Sequence, residues 1–544
     1  MRDVPYELAR RVFKLRPTAI ERVERHKDLL ATMSDGAVLL ADHYVPDGDI
    51  TAPLVLVRSP YGRRGAFGLV ARTLAYEGFQ VVMQSCRGTE GSGGRYDRPF
   101  RAEVGDGRDT VEWLRRQSFF PGRFATYSGS YLGYVQLALP PESKSDLFGA
   151  VLQIAPSSTH DVVWTHGGLA LSTSLGWSTG ANRNDTSLRG AIAGRRDPKR
   201  VRAAGMRAPL LQSYTAATTT RVGFLEQWWT HPDHDDPFWA EEDQRASLDS
   251  YDCPVLVQSG WYDLFLESSV AQYERLAGRG ADVRLTVGPW THETFTRAMG
   301  RLLPEAADFL KAAYGAAPAL STPPVTVLDA RNGAETRLTA WPPPSSPEEH
   351  FLGASTLRPT APTTGSTSST FVYDPADPTP QFGGALLEPG GGPVDNAALE
   401  RRADVLTFDT PACTDTPQFA GRPTLELWVS ADVPAPQLFV RLNVVDAGGV
   451  SKNLTDTLVT VPGGADAGVP VRVVAALPPT FVRLAAGERI RLLIAGGSFP
   501  QYARSPGSGE SPATASELHV ARISIHHDAE HPSRVTLPRA TPAP

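Results

Sequence analysis

The sequence predicts an α/β core with an inserted helical cap, followed by an all-β sandwich at the C-terminal end. Three observations predict this organisation. The first 155 residues alternate short apolar runs with amphipathic stretches, which is typical of a mostly parallel sheet covered by helices on both faces. The alternation stops after Pro156 and resumes near residue 251. Beyond residue 316, turn-rich segments separate short strands of alternating hydrophobicity.

The first part of the core is predicted to begin with a hairpin. The Asp35-Gly36 pair stands between two apolar runs, which is a strong hairpin signal. Residues 66–77 carry apolar side chains at helical spacing, and Gly78 follows as the helix cap. The same criteria predict the other elements: strands at 53–58, 79–85, 123–127 and 148–155, and helices at 106–117 and 130–139.

The cap is predicted at residues 156–250, where tryptophans stand among Gly, Thr and Ser with few β-branched runs: Trp164, Trp177, Trp228, Trp229 and Trp239. Strands at 254–261 and 283–290 then return, separated by a helix at 266–279. We therefore assign the chain to three parts: the core at 1–155 and 251–315, the cap at 156–250, and a linker with the β domain at 316–544.

Composition excludes several classes of protein. The 544 residues carry 53 Lys and Arg against 59 Asp and Glu, a net charge of -6 without long charged runs, so no nucleic acid partner is expected. We also expect no cofactor. Cys86, Cys253 and Cys413 form no CxxC pair, which argues against a disulfide framework and a zinc site. We find no secretory signal or membrane span, and expect a soluble cytoplasmic protein that acts on a small molecule.

The segment RFATYSGSYLG predicts a nucleophile elbow with Ser130 at its apex. A strand leads into a turn of small residues, and a helix follows immediately, so the serine hydroxyl stands at the helix N-terminus and at the edge of the sheet. Taken alone, the pattern is more often an ordinary turn. A serine nucleophile also needs a histidine base and an orienting carboxylate.

Two later positions supply these groups in the order Ser, Asp, His. Asp263 and His292 are the first titratable residues after the strands that end near residues 262 and 291. Each has an ordinary alternative: Asp263 could cap the next helix, and His292 could be a structural histidine. Three matched positions in this order favour a catalytic triad.

Eight motifs resemble the CocE/NonD hydrolase family, the group of cocaine esterase, which is related to X-Pro dipeptidyl-peptidases and α-amino acid ester hydrolases. They are RSPYGRR, QSCRGTEGSGG, DGRDTVEWL, GSYLG, GWYDLF, GPWTH and the C-terminal pair LWVSAD and NLTD, within residues 28–460. The resemblance implies an α/β-hydrolase core, a helical cap and a jelly-roll β domain. It also implies Ser130 as nucleophile, His292 as base and Asp263 as its partner.

The resemblance further implies an oxyanion hole formed by the backbone N–H of Tyr131 and the hydroxyl of Tyr61. Without this resemblance, we would interpret Tyr61 as a turn tyrosine packed on the sheet edge. Two residues depart from the family pattern, since Ser128 replaces a usual glycine in the elbow and Ser85 replaces a frequent aspartate.

The family's aromatic acyl pocket corresponds to Trp164, Trp177 and Phe265, although the spacing at Trp164 is off by about one residue. Such a lining favours an apolar or aromatic acyl group. No acidic cluster for a substrate ammonium is evident, because the acidic residues of the cap fit a solvated loop better: Glu226, Asp233, Asp235 and Asp236.

These observations predict a serine hydrolase that cleaves a carboxylic ester, or an amide, through an acyl-enzyme. Three alternatives stay open: an X-Pro-type dipeptidyl peptidase, an acyltransferase or cyclising enzyme of secondary metabolism, and a sugar-binding module with an inactive core. No metal is predicted at the site. A homodimer also stays open, since large β domains of this family often support dimers.

Overall fold

A ten-stranded sheet organises the first part of the chain and two antiparallel sheets organise the second. The computed structural model describes residues 4–18, 20–181, 197–363, 365, 367–462 and 468–541. The α/β core followed by an all-β part, as predicted, is confirmed by the pairing of the strands.

The first sheet is parallel through its centre. The strands are β1 (Val23–Thr32), β2 (Val38–Pro46), β3 (Leu54–Ser59), β4 (Gln80–Ser85), β5 (Phe124–Gly129), β6 (Leu147–Gln153), β7 (Val255–Tyr262), β8 (Val283–Thr291), β9 (Val325–Leu328) and β10 (Glu335–Leu338). Their order in the sheet is β1-β2-β4-β3-β5-β6-β7-β8-β9-β10, and every pair from β4 to β9 is parallel, while the pairs at both edges are antiparallel. The central strands are apolar runs buried on both faces, as parallel sheets require.

Helices lie between the strands of this sheet. The predicted helix at 66–77 extends over Gly65–Tyr76, and Gly78 follows it with a φ of 98°, the left-handed conformation of a C-terminal glycine. The helices of the core are Val4–Val12, Gly65–Tyr76, Glu103–Arg115, Tyr131–Leu137, Pro141–Lys144, Leu266–Gly278 and Met299–Tyr314, with a 3₁₀ helix at Thr294–Ala298.

The cap is inserted between β6 and β7. In its described residues it is helical, and residues 182–196 of the predicted cap lie outside the described part of the chain. Its helices are Thr159–Val163, Leu171–Ala181, Asp197–Gly205, Leu210–Ser213, Thr215–Thr218 and Gly223–Thr230, with 3₁₀ helices at Thr165–Gly167, Pro237–Glu242 and Arg245–Ser250.

The C-terminal part consists of a nine-stranded and a four-stranded sheet, both antiparallel. Apolar residues of the two sheets share one buried cluster, as in a sandwich. One short helix lies at Ala397–Glu400, and the strands are β11 (Ser345–Leu352), β12 (Leu357–Arg358), β13 (Ser368–Tyr373), β14 (Val405–Asp409), β15 (Gln418–Gly421), β16 (Thr424–Ala431), β17 (Gln437–Val445), β18 (Ser451–Thr460), β19 (Val471–Ala476), β20 (Thr480–Arg483), β21 (Arg489–Ala495), β22 (Ala521–His526) and β23 (Arg534–Ala540).

One predicted boundary differs from the structure. The sequence places residues from 316 onward in the linker and β domain, but β9 and β10 at 325–338 extend the core sheet. Each has only four residues, and they lie in a Pro-, Ser- and Thr-rich segment whose composition indicates loops. Pairing with β8, rather than a local pattern, makes β9 a strand.

The topology brings four chain segments to one edge of the core sheet. Strands β3, β5, β7 and β8 are parallel, so their carboxyl ends share this edge. Tyr61, Ser130, Asp263 and His292 follow those four ends.

All three cysteines are free thiols. Among the described residues no helix has the length and apolar character of a membrane span.

Candidate active site

The turn after β5 holds Ser130 in a strained conformation. Its φ of 58° and ψ of -133° lie outside the regions that L-residues ordinarily occupy. Its backbone N–H donates to the carbonyls of Gln153 and Ile154 at 3.0 and 3.1 Å. The helix Tyr131–Leu137 begins immediately afterwards. Strain of this kind, held by surrounding hydrogen bonds, is found at functional turns.

Two glycines allow the turn to pack against β6. A Cβ on Gly129 would lie 2.7 Å from the carbonyl oxygen of Gln153, and a Cβ on Gly133 would lie 2.5 Å from the Cβ of Ala155. Both distances are too short for a side chain. These contacts explain why the sequence has small residues on both sides of Ser130.

Ser128 occupies the position where the family usually has glycine. Its φ of 150° is uncommon for a residue with a Cβ, so the turn carries strain at this position also. Its carbonyl accepts a hydrogen bond from Gln136 Nε2 at 2.9 Å, which holds the conformation. Ser85, the second departure, accepts a hydrogen bond from the buried Arg63 and lies outside the cavity lining described below.

The structure brings Ser130, His292 and Asp263 into one hydrogen-bonded chain. His292 Nε2 lies 3.1 Å from Ser130 Oγ, and His292 Nδ1 lies 2.8 Å from Asp263 Oδ2. The Asp263 side chain is fully buried, and its Oδ1 accepts the backbone N–H of Phe265 at 2.7 Å. The sequence analysis gave two interpretations of Asp263, a helix cap and the partner of His292, and the structure shows both contacts. One carboxylate oxygen accepts a backbone N–H at the start of the next helix, and the other faces the histidine. The catalytic roles of the three residues stay a prediction.

Tyr61 lies in the loop after β3 and is hydrogen-bonded to the cap. Its hydroxyl accepts a hydrogen bond from Trp177 Nε1 at 3.0 Å, and its ring stacks on Phe67. Burial raises the pKa of this hydroxyl to about 12, against a smaller opposing effect of the Trp177 hydrogen bond. The group therefore keeps its proton near neutral pH, as an oxyanion donor must.

Tyr131 is anchored from beneath by its side chain. Its hydroxyl donates to Glu103 Oε1 at 3.0 Å and accepts the backbone N–H of Phe100 at 2.8 Å. Glu103 is itself buried and paired with Arg58 at 2.8 Å. Because Tyr131 is the first residue of its helix, its N–H has no partner within that helix. The buried anchor holds this free donor beside Ser130.

A cavity of about 330 Å³ opens onto Ser130 and His292. Its wall is mainly aromatic and aliphatic, and none of the described residues lining it is Asp, Glu, Lys or Arg. The aromatic lining residues are Tyr61, Phe67, Phe100, Tyr127, Tyr131, Trp177, Trp228, Phe265 and Phe295. This lining is apolar, with few polar groups.

Two of the three predicted pocket residues line this cavity. Trp177 and Phe265 do so, and Phe265 meets the His292 ring edge-on with the centroids 5.5 Å apart. Trp164 does not line this cavity, and its role in a substrate pocket stays a prediction. It lies just after the helix Thr159–Val163, and its indole N–H turns away to the carbonyl of Trp228 at 2.9 Å.

Other lining residues were not predicted from the sequence. Trp228 was noted only as one of the tryptophans of the cap, and Phe100 lies in a loop without any signal. Leu387 comes from the C-terminal part, more than 250 residues after Ser130. Local sequence patterns could not reveal these positions, because they meet only through tertiary packing.

The four acidic cap residues considered in the sequence analysis lie outside the cavity lining. Glu226 is engaged by Arg221 and by the hydroxyl of Tyr214. Asp233 and Asp235 are exposed, and Asp236 accepts the N–H of Phe238 at the start of a 3₁₀ helix. None of them lines the cavity, so they offer no partner for a substrate ammonium there.

A buried glutamate lies next to the cavity wall. Glu242 neighbours Trp228, and its Oε2 has no hydrogen-bond partner among the described residues. Burial raises the pKa of its carboxyl from 4.5 to about 7. Between these values the folded protein holds a proton that the unfolded chain has lost. Stability should therefore be greatest below about pH 4.5 for this group and fall as the pH rises through 7.

We expect Glu242→Gln to reduce this loss of stability. At about pH 8 the uncharged amide should raise the melting temperature relative to the wild type, with a gain in free energy of unfolding on the order of 1–3 kcal/mol. Near pH 5 it should change the melting temperature little. Thermal melts over this range measure the effect. Glu241→Gln is the control, because Glu241 is exposed and paired with Arg101. Parallel pH profiles of wild type and Glu242→Gln would contradict the prediction.

Two family models match consecutive parts of the chain. Residues 35–294 match the model described as X-Pro dipeptidyl-peptidase (S15 family). Residues 319–536 match that of the X-Pro dipeptidyl-peptidase C-terminal non-catalytic domain. The first match spans every segment of the site from Tyr61 to His292.

Similar proteins align with nearly the whole chain. Cocaine esterase from Rhodococcus sp. (strain MB1 Bresler) is 29% identical, over 94% of this chain and 98% of its own length. An aminopeptidase from a marine sediment Thaumarchaeota archaeon has a TM-score of 0.82 at 20% identity, covering 95% of this chain and 97% of that one. An α-amino acid ester hydrolase has a TM-score of 0.79 at 20% identity, covering 95% and 96%. These two structures share the fold of the chain.

Proposed function

We propose that this chain cleaves esters of uncharged apolar or aromatic acids through an acyl-enzyme on Ser130. It is a homologue of cocaine esterase and has an S15-family catalytic domain, and is therefore a serine hydrolase. One observation carries the proposal. The hydrogen-bonded chain from Ser130 through His292 to Asp263 opens onto a cavity whose described lining has no charged side chain except the histidine itself, if protonated.

In the proposed first step, Ser130 Oγ attacks the ester carbonyl while His292 Nε2 takes the hydroxyl proton. Asp263 accepts the hydrogen bond of His292 Nδ1–H and stabilises the imidazolium that forms. The carbonyl oxygen becomes an oxyanion, to which the Tyr61 hydroxyl and the Tyr131 N–H would donate. When the C–O bond breaks, His292 returns the proton to the leaving alcohol, and the acyl group stays on Ser130.

In the second step a water molecule replaces the alcohol. His292 Nε2 accepts a proton from the water as its oxygen attacks the acyl carbon, and the same two donors would hold the second oxyanion. Collapse of this intermediate releases the carboxylic acid and returns the proton to Ser130. The cavity would hold the acyl group throughout both steps.

The charge of the cavity favours an esterase for uncharged acids over a dipeptidyl peptidase. A peptide with a free N-terminus carries an ammonium group, and burying it without a carboxylate costs several kcal/mol. The described lining offers no carboxylate. The relative named as a cocaine esterase acts on an ester, which agrees with this choice.

We expect the enzyme to discriminate against an α-ammonium group. Methyl phenylacetate and methyl phenylglycinate differ only at that position, so their kcat/KM values can be compared after division by their alkaline hydrolysis rates. The phenylacetate should be preferred by about 100-fold or more, since each 1.4 kcal/mol corresponds to about tenfold.

Dipeptidyl p-nitroanilides test the peptidase alternative directly, with p-nitrophenyl butyrate as a control for active enzyme. A normalised preference for phenylglycinate, or faster cleavage of an Ala-Pro anilide than of any neutral ester, would contradict the proposed substrate class.

A further inference from the structure

A loop of the C-terminal part, between β22 and β23, brings two histidines and an aspartate together. Strand β22 ends at His526 and β23 begins at Arg534, and the turn between them has the sequence HHDAEH over residues 526–531. Alternation along an extended segment directs His526 and Asp528 to one side and His527 to the other. His527 is occupied there, with its two ring nitrogens 3.2 and 3.0 Å from the hydroxyls of Thr367 and Ser369.

Asp528 shapes the turn so that His531 returns to the same side. One carboxylate oxygen of Asp528, Oδ1, accepts the backbone N–H groups of Glu530 and His531, both at 2.9 Å. The same oxygen lies 3.2 Å from His531 Nδ1. As a result, His526, Asp528 and His531 each place one potential metal-ligand atom within 4.8 Å of those of the other two.

The surroundings hold the cluster in position. Asp528 is buried, while the two histidines are partly exposed and so accessible from solvent. Ser430 Oγ lies 2.8 Å from His526 Nε2, a contact of the kind that orients a metal-binding histidine ring. The ring of His531 packs edge-on against Trp428, with the centroids 5.0 Å apart.

We propose that His526, Asp528 and His531 bind a divalent transition-metal ion of the Zn²⁺ type. Two imidazoles and one carboxylate suit such ions, whereas Ca²⁺ and Mg²⁺ prefer oxygen ligands alone. Ligand atoms about 2.1 Å from Zn²⁺ in a tetrahedral site are about 3.4 Å apart. Small side-chain rotations would close the present spacing, and water would complete the coordination.

The site is separate from the proposed active site. None of its three residues lines the cavity beside Ser130. The ion would join the end of β22 to the turn that leads into β23, two strands that both pair with β16 in the larger β sheet. Its expected effect is on the stability of the C-terminal part, because a ligand that binds only the folded chain stabilises it.

The test uses full-length protein without a histidine tag, freed of metal by a chelator. Calorimetric titration with Zn²⁺ should show one site per chain, and the melting temperature should rise with Zn²⁺ but not with Ca²⁺. Asp528→Asn and His531→Ala should each weaken Zn²⁺ binding about tenfold or more. Asp528→Asn keeps an oxygen for the two turn amides and so preserves the fold. His519→Ala, which removes an exposed histidine elsewhere, should bind as the wild type does.

Two results would overturn the proposal. The first is the absence of saturable Zn²⁺ binding by the wild-type protein. The second is binding of unchanged affinity in both Asp528→Asn and His531→Ala, with circular dichroism showing that they are folded, because the ion would then occupy another site.

Discussion

Replacing Ser130 with alanine should lower kcat/KM for ester hydrolysis by about 10⁴- to 10⁶-fold. Ser130 Oγ, which lies 3.1 Å from His292 Nε2, would form the acyl-enzyme. In the alanine variant a water molecule would have to replace it as the nucleophile, and the turn would not hold that water in position. Steady-state assays with a neutral p-nitrophenyl ester measure the loss. A fluorophosphonate probe should label the wild-type protein and leave Ser130→Ala unlabelled.

Ser128→Ala is the matched control for this variant. Ser128 lies two residues away in the same turn and also lines the cavity, but its side chain has no role in the proposed reaction. We expect its activity to stay within about tenfold of the wild type, as for residues outside the transition-state contacts. Near-normal turnover by Ser130→Ala would exclude Ser130 as the nucleophile.

Replacing Tyr61 with phenylalanine should lower kcat by about 10²- to 10³-fold and leave KM nearly unchanged. A hydroxyl that donates to the oxyanion acts mainly in the transition state, so its loss appears in kcat rather than in substrate binding. Burial keeps this hydroxyl protonated, since it raises the Tyr61 pKa to about 12. The measurement is a full kinetic analysis with an uncharged ester.

Two controls separate this role from a packing role. Trp177→Phe removes the indole N–H that binds the Tyr61 hydroxyl while keeping an aromatic wall, and it should affect kcat much less. Tyr96→Phe removes another partly buried phenol that lies near Tyr131 but does not line the cavity. A kcat for Tyr61→Phe equal to that of Tyr96→Phe would exclude the hydroxyl as an oxyanion donor.

Much of the fold could be predicted because its signals are local. The short apolar runs of the core predict buried strands, and Asp35-Gly36 predicts the β1-β2 turn, where Gly36 has a φ of 84°. The two four-residue strands β9 and β10 were missed, because a run of that length has no recognisable period and depends on its neighbours for hydrogen bonds.

The residues of the site also fall into those that local sequence patterns predict and those that they do not. Ser130, Asp263 and His292 could be selected because each directly follows a predicted strand, and parallel strands bring their carboxyl ends together. The position of Trp164 outside the cavity lining could not be predicted, because the direction of a side chain at a helix end depends on backbone angles that the sequence does not display. Leu387 was missed because a residue from another part of the chain becomes a lining residue only through packing.

The sequence by itself determined the order of most core strands and helices, the turn at Ser130 and the positions of the three residues proposed for catalysis. These features depend on residue type at short separations, where backbone sterics and hydrophobic period act. Only the tertiary structure decided which aromatic side chains line the cavity, that its described wall has no carboxylate, and that His526, Asp528 and His531 converge. Those properties depend on distances between side chains, which the packing of the folded chain sets.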